Sequence, residues 1–377
     1  MSSRSPFKRF AKRAERTAGN LFKHLIRRLV AAANPIPVEK ALASRRILLI
    51  RPNFRIGNAA ISTSLIACFR ARFPEARIDF LGTDSTRAVL LHQPVDVCYT
   101  VSRRQLLRPW QYVSLVRSLR RNRYDLAVQA GSGSLTGTLV VRLVGARYTM
   151  GRGEDNRRQY HLEVSGEQHH AYDNALSFAR ALGSSCPDHP IVRLGSAERE
   201  NALELLRASL GTPLAPQDDG FVALSLGGRG GKRWPLENWL TLIRILEEHA
   251  HRFAVFLGPE ERGLEGRLRE AMMKYRHGTV LGPRPLREFC AMLSFARCLV
   301  TPDSGPMHLA AGLEVPTIAL LRNRISLAYA PRGKHDTTLF NPGPGQVHAA
   351  LIRNFTARRQ RTTGPALLAK DSGRRRL

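Results

Sequence analysis

The sequence predicts an α/β protein built from two similar halves, and three observations carry that reading. Short apolar runs alternate with stretches of helical periodicity along most of the 377 residues, the rhythm of strands joined by crossover helices in a mostly parallel sheet. The rhythm breaks in a Pro- and Gly-containing linker from Gly211 to Gly220 and then restarts. A glycine-rich segment follows the first apolar run of the second half and opens a helix, which is where a parallel sheet receives ligands.

Each element is read in order. Asn34-Pro35-Ile36-Pro37 separates an N-terminal tail from a first strand, Arg46 to Arg51. A loop from Pro52 to Asn58 leads into a helix from Ala59 to Arg72, which Phe73-Pro74 stops, because the residue before a proline is pushed out of the helical region. Arg77–Leu81, Val95–Val101 and Leu126–Gln129 read as strands between helices at Arg108–Asn122 and Leu135–Val144. Helices at Tyr172–Leu182 and Ser196–Leu210 flank a turn around Pro187 and Pro190. In the second half, strands Phe221–Leu226, Phe253–Leu257, Gly278–Leu281, Cys298–Thr301 and Thr317–Leu321 alternate with helices Pro235–His249, Glu260–Tyr275, Leu286–Ala296 and Pro306–Leu313. The resulting division is a basic N-terminal tail (1–45), a first domain (46–210), a second domain (211–345) and a basic C-terminal tail (346–377).

Composition narrows the partners. Hydrophobic residues make up 43%, enough for two cores in a chain of this length, and no apolar run reaches the roughly 18 residues of a membrane span. The net charge of +29 attracts polyanions: nucleic acid, anionic lipid or a phosphorylated glycolipid. No helix-turn-helix, zinc or aromatic RNA-binding motif accompanies it, and residues 1–50 and 353–377 carry +10 and +7 of the excess, so a specific nucleic-acid partner is not expected. Near the N-terminus Phe7, Phe10, Leu21, Phe22, Leu25, Ile26, Leu29 and Val30 are interleaved with Lys and Arg. That mixture fits a basic amphipathic helix on an anionic membrane surface; a solvated tail and a nucleic-acid arm are the other readings. Cys68, Cys98, Cys186, Cys290 and Cys298 are odd in number and scattered without a CxxC pair. Neither a zinc site nor a disulfide frame is indicated, and a reducing cytoplasm fits.

Four loops can carry chemistry. In Leu226-Gly-Gly-Arg-Gly-Gly-Lys-Arg-Trp-Pro235, four glycines let the backbone approach an anion, Lys232 and Arg233 add charge, and Pro235 suits a first helical turn. The spacing is neither a Walker A motif nor GxGxxG, and a flexible basic turn is the blander reading. In Thr301-Pro-Asp-Ser-Gly-Pro-Met-His308, Asp303 sits at a strand end, Ser304 is placed to cap a helix and Pro306 fits its first turn. An ordinary capped helix with a packed His308 is the alternative; two anion-receptive helix starts in one domain suit a diphosphate. Gly258-Pro-Glu260-Glu261 offers a carboxylate to ribose hydroxyls, a weak signal alone. Arg51-Pro-Asn-Phe-Arg55-Ile-Gly57-Asn58 opens the first domain's leading helix.

Together these residues resemble glycosyltransferase family 9, the ADP-heptose:lipopolysaccharide heptosyltransferases. The resemblance rests on Arg45-Arg-Ile-Leu-Leu-Ile-Arg51, the Gly57-Asn58 pair, Tyr124-Asp-Leu126, Gly231-Lys-Arg-Trp-Pro235 and Asp303-Ser-Gly-Pro-Met-His308. It runs from about Arg46 to Leu321. It implies a GT-B fold, two Rossmann-like domains facing a central cleft, and an inverting transfer of a sugar, heptose from ADP-heptose, onto a lipopolysaccharide core or similar anionic glycolipid. No metal cofactor is implied. The protein would be cytoplasmic and peripheral on the inner face of the membrane. By position, Gly228, Lys232, Arg233, Glu260, Glu261, Leu281, Gly282, Asp303, Ser304, Gly305, Pro306, Met307 and His308 would bind the donor, with Lys232 and Asp303 also catalytic. Arg51, Arg55, Gly57 and Asn58 would meet the acceptor.

One position departs from the pattern. The family's general base is an aspartate directly after the opening glycine, and Asn58 stands there. An amide orients a hydroxyl but does not deprotonate it. Asp84 and Glu163 are alternative bases; an acceptor needing less help, or a non-catalytic nucleotide- or glycan-binding protein, are the other readings.

Overall fold

The computed structural model describes residues 33–106, 108–131, 135–153, 159–211 and 220–362. The amphipathic N-terminal helix expected within residues 1–32, the linker at 212–219 and the end at 363–377 lie outside the described residues. The chain forms two compact units, Met1–Asp188 and His189–Leu377.

The first unit runs α1 (Val38–Leu42), β1 (Arg46–Ile50), α2 (Ile56–Arg72), β2 (Arg77–Thr83), α3 (Arg87–Leu90), β3 (Val97–Val101), α4 (Arg103–Leu106), α5 (Pro109–Arg121), β4 (Leu126–Gln129), α6 (Leu135–Val144), β5 (Tyr148–Gly151), β6 (Leu162–Glu163) and α7 (Asp173–Ala181). Among the described residues its sheet is six-stranded, in the order β3-β2-β1-β4-β5-β6, with parallel pairings. Alternation along β1 decides the packing, since successive side chains point to opposite faces. Ile47 and Leu49 join Leu65, Ile66 and Phe69 of α2 and Phe178 of α7 in one core. Leu48 and Ile50 join Leu119 of α5 and Val140, Val141 and Val144 of α6 in the other.

The second unit runs α8 (Ser196–Leu210), β7 (Phe221–Ser225), α9 (Leu236–Glu248), β8 (Phe253–Phe256), α10 (Glu265–Ala271), β9 (Gly278–Leu281), α11 (Leu286–Leu293), β10 (Ala296–Pro302), α12 (Gly305–Gly312), β11 (Thr317–Leu321), β12 (Thr337–Phe340) and α13 (Pro344–Thr362). Its sheet, again six-stranded among the described residues, has the order β12-β11-β10-β7-β8-β9 with parallel pairings. β7 is buried along its whole length, as a central parallel strand covered on both faces must be. Val222 and Leu224 pack with Trp239, Leu242 and Leu246 of α9 and Val347 and Leu351 of α13. Phe221 and Ala223 pack with Ala202 and Leu206 of α8 and Ala291 and Leu293 of α11.

The structure differs from the sequence reading in several places. α8 belongs with the second unit rather than the first: Glu198 in its first turn accepts from the Gly195 amide at 2.8 Å and pairs with Arg287 of α11 at 2.5 Å. Residues 346–362, read as part of a basic tail, belong to α13, because Val347, Ala350, Leu351 and Phe355 make a buried stripe at helical spacing. The helix expected over Glu260–Tyr275 divides into a 3₁₀ segment, Pro259–Leu264, and α10. α2 begins at Ile56, which puts Gly57 and Asn58 in its first turn instead of in a loop.

Candidate functional site

Both sheets reverse strand order beside their first strand, and the loops at that switch point are where open α/β sheets hold ligands. In the second unit the switch lies between β7 and β10. The loop leaving β7 carries Gly227 to Trp234, and the turn leaving β10 carries Asp303. Parallel pairing puts the carboxyl ends of β7, β8, β9 and β10 on the same edge.

The glycine loop is shaped by three contacts. Gly230 sits at φ +56° at the start of a 3₁₀ turn over Gly230–Lys232, a conformation that penalises a Cβ. Arg233 folds back so that its Nε donates to the Gly228 carbonyl at 2.6 Å, while Arg322 donates to the Arg233 carbonyl at 2.8 Å. Trp234 is buried, its indole Nε1 donating to the Pro342 carbonyl at 3.0 Å and its ring edge-on to Trp239 at 4.8 Å. Pro235 is therefore the N-cap of α9, not its first residue. With both shoulders held, the loop's tip, Arg229 to Gly231, stays exposed beside half-buried Lys232.

Lys232 reaches across the switch point. Its Nζ lies 2.5 Å from Asp303 Oδ2, and Asp303 is 8% exposed. The Ser326 hydroxyl meets the same Asp303 oxygen, so the carboxylate is fixed from two sides. The Lys232 ammonium also sits 5.9 Å from the centre of the Tyr329 ring, within cation–π range. His308 is buried and packs edge-on to Tyr329 at 6.3 Å. Ser304 occupies the N-cap of α12 as expected, but its side chain makes no capping bond; its Oγ pairs with Thr301 Oγ1 at 3.0 Å. Met307 is fully buried against Ala319 and Leu321, so its side chain serves the core and only its backbone is at the helix start. Gly305 and Pro306 form the first turn of α12.

Glu261 is the third feature. It lies on the 3₁₀ segment after β8, is 6% exposed, and its Oε2 rests against two glycines: a Cβ at Gly258 would come within 2.8 Å of it, and one at Gly227 within 3.3 Å. Burial pushes its carboxyl above its ordinary pKa, with the Arg233 charge opposing. Glu261 Oε1 lacks a hydrogen-bond donor and has Arg233 Nη2 at 3.5 Å. Glu260 is half exposed and pairs loosely with Arg229 and Arg233 at 3.5 and 3.6 Å. Leu281 is a core residue, and a Cβ on Gly282 after it would come within 2.8 Å of the Glu265 carboxylate, which would have to move aside.

In the first unit the switch lies between β1 and β4. Arg51 spans it, its guanidinium donating to the Ala130 carbonyl at 2.8 Å. Arg55 is the N-cap of α2, with its amide held by Asn53 Oδ1 at 2.9 Å. The Asn58 carbonyl accepts from Ser62 within the same helix at 2.8 Å. A cavity of about 600 Å³ at the carboxyl ends of β2 and β3 is lined by Phe54, Asp84, Ser85, Ser102, Arg103 and Arg104. Asp84 is thereby in a pocket beside the opening loop. Glu163 is on edge strand β6 and accepts from the Gln159 amide at 2.6 Å, a structural contact.

Sequence reasoning missed Ser326 and Tyr329, which stand on the segment after β11, and the pocket arginines after β3. Their only signal is position, the carboxyl end of a parallel strand, and neither loop carries a glycine or proline signature at those residues.

The description "Glycosyltransferase family 9 (heptosyltransferase)" matches residues 112–350, both switch-point loops of the second unit included. The lipooligosaccharide heptosyltransferase 2 of Haemophilus ducreyi is 23% identical over 305 residues, 76% of this chain and 85% of that one. Lipopolysaccharide heptosyltransferase 1 of Salmonella typhimurium is 26% identical over 61% of this chain and 73% of its own. Among solved structures, the E. coli ADP-heptose LPS heptosyltransferase II superposes with a TM-score of 0.67 at 20% identity, over 83% of this chain and 99% of its own. A match through well over half the sequence, on a fold of two Rossmann-like units, places this glycosyltransferase in family 9, to which the chain belongs.

Proposed function

We propose that the protein transfers heptose from ADP-heptose, with inversion, to an anionic glycolipid of the lipopolysaccharide core. The observation that carries this reading is the Lys232–Asp303 pair, an ammonium held by a buried carboxylate at the switch point of the second sheet. The names of the relatives support the donor and acceptor classes.

The diphosphate would lie between Lys232 and the amides of Gly305 and Met307 at the start of α12. Asp303 aims the ammonium, and the exposed glycine turn lets phosphate oxygens approach the backbone. Glu261, buried with an oxygen lacking a donor, suits the ribose hydroxyls. In the reaction the acceptor oxygen attacks the anomeric carbon from the face opposite ADP. The carbon–oxygen bond to the diphosphate breaks and its electron pair leaves with ADP, whose growing charge is met by Lys232 and the helix start. A fixed field of this kind takes the part that a divalent ion plays elsewhere, so transfer is expected to proceed without added metal.

The hydroxyl proton needs a base, and a carboxylate serves well. Asn58, in the first turn of α2, offers an amide; Asp84 is the acid in the first unit's pocket and is assigned as the base. Arg103 and Arg104, in the same pocket, suit an acceptor carboxylate or phosphate. The protein would work at the inner face of the cytoplasmic membrane, and no helix among the described residues is long and apolar enough to cross one.

Asn58 also favours a second reading, a protein that binds nucleotide sugar without transferring it. Incubation with ADP-heptose and a heptose-deficient core acceptor, read by mass spectrometry, decides between them: a product heavier by one heptose supports transfer, and unchanged acceptor beside measurable donor binding refutes it.

A further inference from the structure

We propose that helix α5 of the first unit is a membrane-docking element, laying one face on an anionic phospholipid surface. Its inner face packs Tyr112, Leu115 and Leu119 into the core. The opposite stripe, at spacings of three and four residues, is Trp110, Val113, Arg117 and Arg121. Trp110 is 68% exposed and Val113 43%, neighbouring apolar side chains on the solvent side of the helix among the described residues. Tryptophan is the side chain that prefers the boundary between headgroups and acyl chains.

Charge says what covers this face. Between Asp96 and Asp125 the chain carries Arg103, Arg104, Arg108, Arg117, Arg120, Arg121 and Arg123 and no acidic residue. The two acids that bracket the run are engaged elsewhere: Asp96 with Arg70 at 2.7 Å, and Asp125 with the amides of Arg45 and Arg46 at 2.8 and 2.9 Å. An exposed tryptophan beside valine, backed by arginines that make no ion pair among the described residues, matches a surface of lipid phosphates more closely than an acidic protein groove, which has no place for an apolar tip to sink.

Position adds a use. α4 and the start of α5 follow the carboxyl end of β3, and Ser102, Arg103 and Arg104 there line the pocket with Phe54 and Asp84. The Arg103 guanidinium lies 5.1 Å over the Phe54 ring. A bilayer under Trp110 therefore sits beside the pocket, where an acceptor anchored in that bilayer would emerge. The docking surface stands without the sugar-transfer reading; only this use of it depends on that reading.

The test is fluorescence, because Trp234 and Trp239 are 4% and 1% exposed and Trp110 alone among the three tryptophans faces solvent. The full-length protein is mixed with vesicles of phosphatidylcholine, or of phosphatidylcholine with phosphatidylglycerol. The expected result is a shift of emission to shorter wavelength and quenching by brominated acyl chains with the anionic vesicles only, both lost in W110F. In co-sedimentation, Trp110→Ser with Val113→Ser, and separately Arg117→Gln with Arg121→Gln, should each weaken binding by about tenfold, with unchanged melting temperature. Transfer to a water-soluble, lipid-free acceptor should be unaffected in both variants, so a failure of docking is distinct from a failure of catalysis. Co-sedimentation without any change in Trp110 emission would assign docking to another segment and overturn the proposal. So would unaltered binding by both variants, or retention by RNA with no affinity for anionic vesicles.

Discussion

Lys232 and Asp303 stand 71 residues apart and meet at 2.5 Å across the seam of β7 and β10. The lysine comes from a glycine-rich loop and the aspartate from a buried strand end, so the buried partner sets where the ammonium sits. The pair is part-buried, and at the switch point it marks where the proposed reading puts the diphosphate. Replacing Lys232 with Ala should weaken ADP binding by about 10- to 100-fold, the range for a hydrogen bond to a charged group. Asp303→Asn should weaken it less, since the ammonium remains but is no longer aimed. Isothermal calorimetry checks both, and equal ADP affinity in wild type and Lys232→Ala would remove the donor assignment.

Glu261 pits stability against binding. Burial raises its pKa, so the folded state holds its proton to a higher pH than the unfolded chain. The stability that proton brings is present below the unfolded value of about 4.3 and lost as pH rises through the folded value. Glu261→Gln removes the charge and keeps the shape. Its melting temperature should therefore exceed wild type near neutral pH and converge with it in acid, while ADP affinity falls. Thermal melts across pH, with and without ADP, test the pair of effects.

Asp84 and Asn58 make opposite predictions. Asp84→Asn should lower turnover by about 10²- to 10⁴-fold, the usual worth of a general base, with ADP affinity unchanged. Asn58→Asp should retain or raise turnover. Should Asp84→Asn leave turnover intact, the base lies elsewhere.

His249, His251 and His348 form a cluster where the end of α9 meets α13, with ring centres 4.5 to 6.2 Å apart and Arg297 stacked on Phe355 nearby. Burial first, then the neighbouring histidines, holds His251 and His348 below the ordinary imidazole pKa. A lowered folded pKa means stability that is complete above the unfolded value of about 6.5 and lost as pH falls through the folded one. The melting temperature should drop below about pH 6.5, and His348→Asn should flatten that slope. Differential scanning calorimetry reads it directly.

Much of this was legible in the sequence where one residue type does one physical job. The bounds of β4 and β11 follow from apolar runs buried on both faces, and those of β9 from a short apolar run between a glycine and the Gly282-Pro283 turn. β5, β6 and β12 went unread. Tyr148–Gly151 ends on a glycine, Leu162–Glu163 is two residues long, and Thr337–Phe340 is an edge strand with alternating exposure. The two loops at the second unit's switch point are visible because glycine, proline and charge occur there in a pattern that backbone geometry explains. Ser326 was invisible: its role comes from β11 lying beside β10, a relation that exists only once the sheet is assembled. The exposed stripe of α5 was likewise hidden, because Trp110 looks like any core residue until its neighbours are placed.

Trp234 gives the glycine loop an unexpected dependence. Its indole is tied to the carbonyl of Pro342, two residues before α13 begins. The shoulder that carries Lys232 is thus tethered to the turn that leads into α13. Trp234→Phe would cut that tether while leaving the exposed tip of the loop and the buried stripe of α13 in place.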